Sequence, residues 1–174
     1  MAARRPLSTS AEIVALHVSP VHAYEGRPAD GPRPDPVPVS RDHVVVRAGL
    51  GLVGDRYFNH AAHRSAAVTV FAVEALDGLT GSLGLTAAPD PLVVRRNIVL
   101  RGFDVDGLAR HDVFSLDSGD GPVRFEAHRP ANPCAWMNTV IASGAFKALR
   151  GRGGVRCVPL DDGLLRLGSV TLVR

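Results

Sequence analysis

Cys134 is the residue of this sequence whose local context most directly suggests chemistry. It follows Asn132 and Pro133, residue types that are favoured at the N-cap and at the first position of a helix. The pattern therefore predicts that Cys134 lies in the first turn of a helix, where unpaired amides and the helix dipole favour a thiolate. Such a thiolate is a nucleophile or a metal ligand. A small buried residue at a helix start is the alternative, and the local sequence leaves both open.

Other side chains that could take part in chemistry give weaker signals. His128 and Arg129 precede the cysteine and could add positive charge beside it. His60 and His63 are three residues apart, but no third ligand stands near them, so we interpret them as a solvated or hydrogen-bonded pair. Cys157 falls within a predicted strand and is interpreted as structural.

Residues 49–54 match the pattern G-x-G-x-x-G of dinucleotide-binding loops, and Glu74 stands where a ribose-binding acid would be expected. In such folds the motif opens a helix whose N-terminus binds the pyrophosphate. Here Asp55 would place a carboxylate beside the diphosphate, and no apolar helical stripe follows. We therefore interpret this segment as a glycine-rich turn.

The elements that must position these residues are mostly strands. The hydrophobic pattern predicts about seven strands, drawn from residues 13–18, 44–46, 67–72, 92–100, 113–116, 123–127, 155–160 and 164–172, the last of them broken at Gly168 and Ser169. It also predicts a main helix at about 133–150 and a short helix at about 73–80, while residues 161–163 are expected to form a hairpin turn. Because strand follows strand, a mostly β fold is favoured, with a closed or partly open barrel of mainly antiparallel strands.

The chain length of 174 residues predicts one domain. We expect residues 1–11 to form an N-terminal tail and residues 12–174 a single barrel domain. Residues 25–41 contain five of the thirteen prolines and are expected to form a long surface loop, either a flexible insert or a wall beside a site.

Composition narrows the classes of protein. The 45% hydrophobic and 21% charged fractions are typical of a soluble globular protein, and no apolar run is long enough to cross a membrane. Two cysteines without a secretory signal favour a cytoplasmic location. Lys147 is the sole lysine among 20 Lys and Arg residues, which reflects either codon bias or ligands that suit arginine, such as phosphate. No basic run with interleaved aromatic residues appears, so nucleic acid is not an expected partner.

Four segments, in this order, resemble one family, the MOSC domain, which is named for the C-terminal domain of molybdenum cofactor sulfurases. They are residues 49–56 (GLGLVGDR), 95–99 (RRNIV), 129–136 (RPANPCAW) and 152–155 (RGGV). The resemblance extends over about residues 12–174. It departs at Gly168 and Ser169, where the family usually has Gly-Asp. No aminotransferase-like domain precedes the barrel and Lys147 has no pyridoxal-phosphate context, so we expect neither that cofactor nor a complete cofactor sulfurase.

This resemblance implies a β-barrel that binds the pyranopterin molybdenum cofactor, with Cys134 as the catalytic residue and metal ligand. The implied cofactor-binding residues are Arg95, Arg96, Asn97, Gly54, Asp55, Arg56, Arg129, Trp136 and Arg152. Because neighbouring strand residues point to opposite faces, we expect Arg95 or Arg96, but not both, to reach the ligand. We expect Asp55 to brace its turn, and a core position for Trp136 is at least as well supported as a place beside the pterin.

The family that this sequence resembles includes small bacterial proteins that reduce N-hydroxylated bases. The first hypothesis is therefore a reductase of such small substrates that receives electrons from a flavin or iron–sulfur protein, since the sequence carries no redox motif of its own. Two alternatives stay open: a sulfur carrier or cofactor-handling protein with a persulfide on Cys134, and a non-catalytic binding barrel.

Overall fold

Seven strands close into a barrel in the computed structural model of the protein, which describes residues 8–174. Around the barrel they are β1 (Ser8–Leu16), β10 (Gly168–Val173), β6 (Val113–Asp117), β7 (Val123–Pro130), β8 (Val155–Pro159), β4 (Val68–Ala72) and β5 (Ile98–Arg101). Within the described chain, β4 and β5 form the one parallel pair of the barrel. The predicted closed, mostly β barrel is confirmed.

A second, three-stranded sheet packs against the barrel in the order β3 (Gly51–Leu52), β2 (His43–Arg47), β9 (Gly163–Arg166). The hairpin expected at residues 161–163 is wrong, because β9 pairs with β2 rather than with β8. The strand expected at 164–172, with a break at Gly168 and Ser169, is indeed divided, and its two parts, β9 and β10, belong to different sheets. At Gly168 the chain takes a φ of +106°, which lets it leave this sheet and enter the barrel as β10.

The buried apolar residues form two clusters, one inside the barrel and one between the barrel and the helices. Alternate residues of β7, such as Phe125 and Ala127, point into the barrel and are fully buried. Strand β4 is buried on both faces, since Val70 fills the barrel and Phe71 packs outside it under the helices. Burial of a side chain as large as Phe71 contributes about 1.5–3 kcal/mol. The outer cluster is what fixes the helices against the barrel.

Three α-helices are described: α1 (Glu74–Leu83), α2 (Trp136–Val140) and α3 (Ala145–Ala148). The short helix expected at about 73–80 is present as α1. The continuous helix expected at about 133–150 is wrong, because Gly144 adopts a φ of +91° and the amide of Phe146 donates to Oδ1 of Asn138 across the break. None of the helices within residues 8–174 is long and apolar enough to span a membrane.

The ends of two predicted strands also differ. Strand β1 begins at Ser8 and pairs with β10, so residues 8–11 belong to the barrel rather than to the expected tail, and residues 1–7 lie outside the described residues. The expected strand 92–100 is a 3₁₀ turn, Pro91–Val94, followed by β5. Pro91 starts that turn and Arg95 ends it in the left-handed conformation. Arg95 and Arg96 therefore precede the strand, and the argument that they point to opposite faces of it does not apply.

Candidate functional site

A cleft of about 270 Å³ lies beside the barrel. Four parts of the chain meet there: residues 129–136, which we call the cysteine segment, the Arg95–Arg96 segment, β4 and β8. Its lining comprises Cys134, four arginines (Arg56, Arg95, Arg96 and Arg156), and His22, Tyr24, Tyr57, Thr69, Val94, Asn132, Pro133, Trp136 and Met137. No Asp or Glu of the described residues lines it. Its surface is therefore cationic, with one thiol among the arginines.

Cys134 is exposed and precedes helix α2 rather than lying within it. Ala135, not Asn132, occupies the N-cap position, and its methyl side chain makes no capping hydrogen bond. The carbonyl of Cys134 accepts a hydrogen bond from the amide of Met137 at 3.0 Å. The expected position of Cys134 in the first turn of a long helix is therefore wrong, since α2 begins at Trp136 and has only five residues. Access from solvent and nearby arginines are what distinguish this cysteine.

Arg96 ties the cysteine segment to the glycines before β8. Its Nε donates to the carbonyl of Gly153 at 2.9 Å, and its Nη2 donates to the carbonyls of Ala131 and Asn132 at 2.8 and 3.2 Å. Burial lowers the pKa of Arg96 to about 10, and the charge of Arg156 contributes to the same shift. Arg96 therefore keeps its charge at neutral pH, and carbonyl dipoles rather than a carboxylate stabilise it.

Arg95 is held by the proline-rich loop. Its guanidinium donates to both carboxylate oxygens of Asp35, at 2.7 and 2.9 Å, and to the carbonyl of Val21 at 3.2 Å. These hydrogen bonds from Arg95 lower the pKa of Asp35 to about 2. The charge of Arg95 is thus neutralised within the protein, and its main role in this geometry is to anchor the loop beside the cleft.

Arg56 and Arg156 are the cleft arginines whose charge is not paired with a carboxylate of the described residues. Nε and Nη1 of Arg56 are enclosed and have no hydrogen-bond partner within residues 8–174, and its guanidinium lies 4.6 Å from the ring centre of Tyr57. Arg156 stands opposite Thr69 in the β4–β8 pair, and neither arginine makes a salt bridge to a described residue. Their charges remain available to an anion.

Sequence reasoning missed Arg156. The available signal was the alternation along β8, since Val155 and Cys157 are buried and Arg156 between them must face outward. Tyr24, Tyr57 and Thr69 were missed as well, because nothing in their local sequence marks them.

The pKa values of two histidines in this region are lowered by burial and by the charges of nearby arginines. Burial, together with the charges of Arg95 and Arg56, lowers the pKa of His17 to about 3. Burial and Arg56 also lower the pKa of His22, which lines the cleft. The His17 imidazole is neutral at physiological pH, so the positive charge of this region comes from the arginines.

Asp55 and Asn97 are buried beneath the cleft rather than in its lining. Asp55 accepts hydrogen bonds from Nδ2 of Asn97 at 3.0 Å and from the amide of Tyr57 at 3.1 Å. Asn97 in turn accepts from the amide of Thr69 at 2.9 Å. The carboxylate and amide thus fix the turn that carries Arg56, which is the bracing expected of Asp55. Gly54 lies in the same turn with a φ of +89°.

The remaining predicted residues fall into two groups. Trp136 is 5% exposed and stacks on Tyr24 with 5.4 Å between the ring centres, so it is both a core residue and part of the cleft wall. Arg129 and Arg152 are exposed and lie outside the cleft lining. Arg152 donates to the carbonyl of Glu74 at 3.2 Å.

A closed β-barrel with an arginine-lined cleft and an exposed cysteine at its edge defines a barrel protein suited to an anionic ligand. The chain belongs to the MOSC domain family, whose model matches residues 57–170. That match begins after the glycine-rich segment 49–56.

Several solved structures share the fold. The YuaD protein from Bacillus subtilis superimposes with a TM-score of 0.73 at 15% identity, over 97% of each chain. YiiM from Geobacillus stearothermophilus gives a TM-score of 0.61 at 14% identity, over 94% of this chain and 75% of that one. YiiM from Escherichia coli gives 0.61 at 14% identity, over 97% and 70%. None of the curated protein sequences matches this chain.

Proposed function

We propose that this protein binds the pyranopterin molybdenum cofactor in the arginine-lined cleft, with Cys134 as the ligand of the metal. The observation that carries the proposal is the combination of four arginines and an exposed thiol in one cleft that no described carboxylate lines. Guanidinium groups bind phosphate through paired hydrogen bonds, and a thiolate suits a soft metal centre. MOSC domains are associated with molybdenum cofactor enzymes, which supports the same assignment.

The side chains present fit such a group. Within residues 8–174, Arg56 has two enclosed N–H positions without a hydrogen-bond partner and Arg156 makes no salt bridge, so these two are the residues we assign to the phosphate. Arg95 and Arg96 already donate to protein oxygens and act as supports for the cleft walls. The stacked pair Tyr24 and Trp136 provides a flat apolar wall against which a pterin ring can pack.

Asp55, Asn97 and Gly54 would then act indirectly, through the turn that orients Arg56. Arg129 and Arg152, which lie outside the cleft lining, have no role in this assignment.

The activity we propose is reduction of N-hydroxylated or similar small substrates. The bound cofactor supplies two-electron redox chemistry, and a separate flavin or iron–sulfur protein supplies the electrons. The chain itself contributes the thiolate of Cys134, the cationic cleft and an aromatic wall that excludes water from one side.

A second candidate function is sulfur transfer through a persulfide on Cys134. The exposure of this cysteine at the edge of the cleft favours it, because a donor or acceptor protein can reach the sulfur directly. In that case the arginines would hold the acceptor and no substrate would be reduced.

The test uses the full chain purified from a molybdate-replete host. Molybdenum is measured by elemental analysis, pterin by fluorescence after oxidation, and activity with reduced dye and a panel of N-hydroxylated bases. We expect Cys134→Ser to retain pterin but lose metal and turnover, and Arg56→Gln to retain about tenfold less of both metal and pterin. Cys157→Ser and Arg124→Gln, whose parent residues lie outside the cleft, are the matched controls.

Wild-type protein without molybdenum or pterin would contradict the cofactor proposal. A persulfide on Cys134, detected by mass spectrometry in protein that lacks metal, would instead support sulfur transfer. Full activity of Cys134→Ser would show that the site is misassigned.

A further inference from the structure

Three side chains with metal-ligating groups meet on the outer face of the barrel, away from the cleft. They are His111, Glu126 and His128, and one ligand atom from each lies within 4.8 Å of the other two. Nδ1 of His111 and Nε2 of His128 both contact Oε1 of Glu126, at 2.9 and 3.1 Å. None of the three lines the cleft.

The fold brings these residues together from two elements. Glu126 and His128 are two residues apart on β7, so they project from the same face of the strand. His111 ends the loop between β5 and β6 in the left-handed conformation, with a φ of +71°. Its amide donates to the carbonyl of Ala127 at 2.7 Å, and the amide of Ala127 donates to the carbonyl of Asp112 at 2.9 Å. These backbone bonds hold the imidazole of His111 over the strand.

We propose that His111, Glu126 and His128 form a binding site for a divalent transition-metal ion of the zinc type, with the remaining coordination positions open to water. Two imidazole nitrogens and one carboxylate oxygen suit zinc and its neighbours, whereas calcium and magnesium prefer oxygen ligands alone. With metal–nitrogen distances of about 2.0–2.1 Å, the ligand atoms need only small side-chain rotations to surround one ion. The ion would replace the direct contacts that the two imidazoles make with Oε1 of Glu126.

The surroundings leave this set free to bind. The side chains of His111, Glu126 and His128 are 60%, 28% and 21% exposed, so an ion can enter from solvent. Asp112, the nearest further carboxylate in sequence, is bound to Arg174 at 2.6 Å and is not counted as a ligand. Arg110 and Arg129 line a small pocket together with His128, so their charges oppose cation binding and the three ligands must outweigh that repulsion.

Binding would join the β5–β6 loop to β7 through the metal. An ion that binds the folded chain and not the unfolded chain raises the melting temperature by mass action. At zinc concentrations about a hundred times the dissociation constant, a shift of about 5–10 °C is expected for a chain of this size.

The test is titration of the full chain, without a histidine tag, with Zn²⁺ and Co²⁺. Isothermal calorimetry should show one ion per chain, and the Co²⁺ complex should show no thiolate-to-metal charge-transfer band, which excludes Cys134 as the ligand. Glu126→Gln, His128→Gln and His111→Asn should each weaken binding about tenfold or more. Asparagine is chosen at position 111 because it tolerates the left-handed conformation.

The matched control is the His60→Asn/His63→Asn double variant. These two imidazoles also lie together, with 4.8 Å between ring centres, but they belong to no group of three ligands within residues 8–174. This variant should bind zinc within twofold of wild type. Circular dichroism and metal-free melting curves establish that the triad variants are folded. Absence of zinc binding by wild type, retention of full affinity by all three triad variants, or loss of binding in the His60/His63 variant would each overturn the proposal.

Discussion

Arg95 and Asp35 form a paired hydrogen bond, at 2.7 and 2.9 Å, that joins the segment before β5 to a loop sixty residues earlier in the chain. The side chain of Arg95 is 9% exposed and that of Asp35 is 20% exposed, so the pair is largely removed from water. Oγ of Ser19 also donates to Asp35. A segment with five prolines and little secondary structure is therefore fixed at one point by a charged contact.

Replacement of Asp35 by Asn should destabilise the protein by about 3 kcal/mol, because it leaves the enclosed guanidinium of Arg95 without its counter-charge. Urea unfolding at pH 7 measures the change in the free energy of unfolding. Asp30→Asn changes an exposed carboxylate of the same loop and should cost less than about 0.5 kcal/mol. Equal effects of the two variants would contradict the anchoring role of Asp35.

The same pair predicts a pH dependence. The pKa of Asp35 is lowered from 3.8 to about 2, chiefly by the hydrogen bonds from Arg95, so the folded state binds the Asp35 proton less readily than the unfolded state. The stabilisation is therefore fully present above about pH 4 and is lost as the pH falls toward 2. Unfolding curves measured between pH 5 and 2 should show that wild type and Asp35→Asn converge in stability. A constant difference across that range would argue against the shift.

Arg96→Lys should loosen the cysteine segment even though it keeps the charge. The guanidinium reaches carbonyls on both sides of the cleft wall, at Gly153 and at Ala131, and a lysine ammonium cannot reproduce that planar fork. We expect a loss of about 2 kcal/mol in stability and faster amide hydrogen exchange across residues 131–137. Arg124→Lys, which alters a surface pair with Asp161, is the control and should leave exchange in that segment unchanged. Slow exchange in Arg96→Lys would show that the segment is held by other contacts.

The barrel was predictable from the sequence because strands such as β6, β7 and β8 alternate more and less buried residues, while β4 is a short continuous apolar run, and strand follows strand along most of the chain. The strand expected at 92–100 failed because its apolar residues, Leu92 to Val94, pack outside the barrel as a 3₁₀ turn. The expected long helix failed because the four-residue stripe is also satisfied by two short helices, whose Met137 and Ala145 pack into one cluster. The spacing of hydrophobic residues indicates which residues are buried. It does not indicate whether they belong to one long helix or strand or to several short elements.

The candidate site was partly predictable for the same reason. Cys134, Arg56, Arg96 and Trp136 line the cleft, and their segments carried recognisable patterns. The partner of Arg95 could not be predicted, because Asp35 lies sixty residues away in a loop without periodicity. Whether an arginine is paired or free decides its availability to a ligand, and only the three-dimensional arrangement shows that.

The two cysteines should differ sharply in reactivity. Cys134 is exposed, whereas Cys157 is fully buried, and burial raises the pKa of its thiol to about 12. A thiol-specific reagent at pH 8 should therefore modify Cys134 alone in the folded protein and both residues after unfolding. Cys157→Ser should lower the free energy of unfolding by about 1–3 kcal/mol, because it places a hydroxyl in the barrel core, while leaving the rate of modification at Cys134 unchanged. Modification of Cys157 at the same rate as Cys134 in folded protein would contradict its burial.

The glycines before β8 should tolerate substitution very unequally. A Cβ at Gly154 would lie 2.2 Å from the carbonyl oxygen of Val70, and the residue has a φ of +86°, so Gly154→Ala suffers both a clash with backbone and conformational strain. Gly151 has a similar φ of +73°, but no atom of residues 8–174 beyond its immediate chain neighbours lies within 4 Å of an added Cβ, so Gly151→Ala suffers the strain alone. We expect Gly151→Ala to cost about 1 kcal/mol and Gly154→Ala about 2–3 kcal/mol more, from the displacement that the clash forces on β4. The difference between the two variants in urea unfolding isolates the close approach of β4 and the glycine segment. Since Thr69 and Arg156 of the same strand pair line the cleft, Gly154→Ala should also reduce cofactor retention, whereas Gly151→Ala should not. If both variants were equally stable, the two backbones would not be in the close contact that positions Arg156.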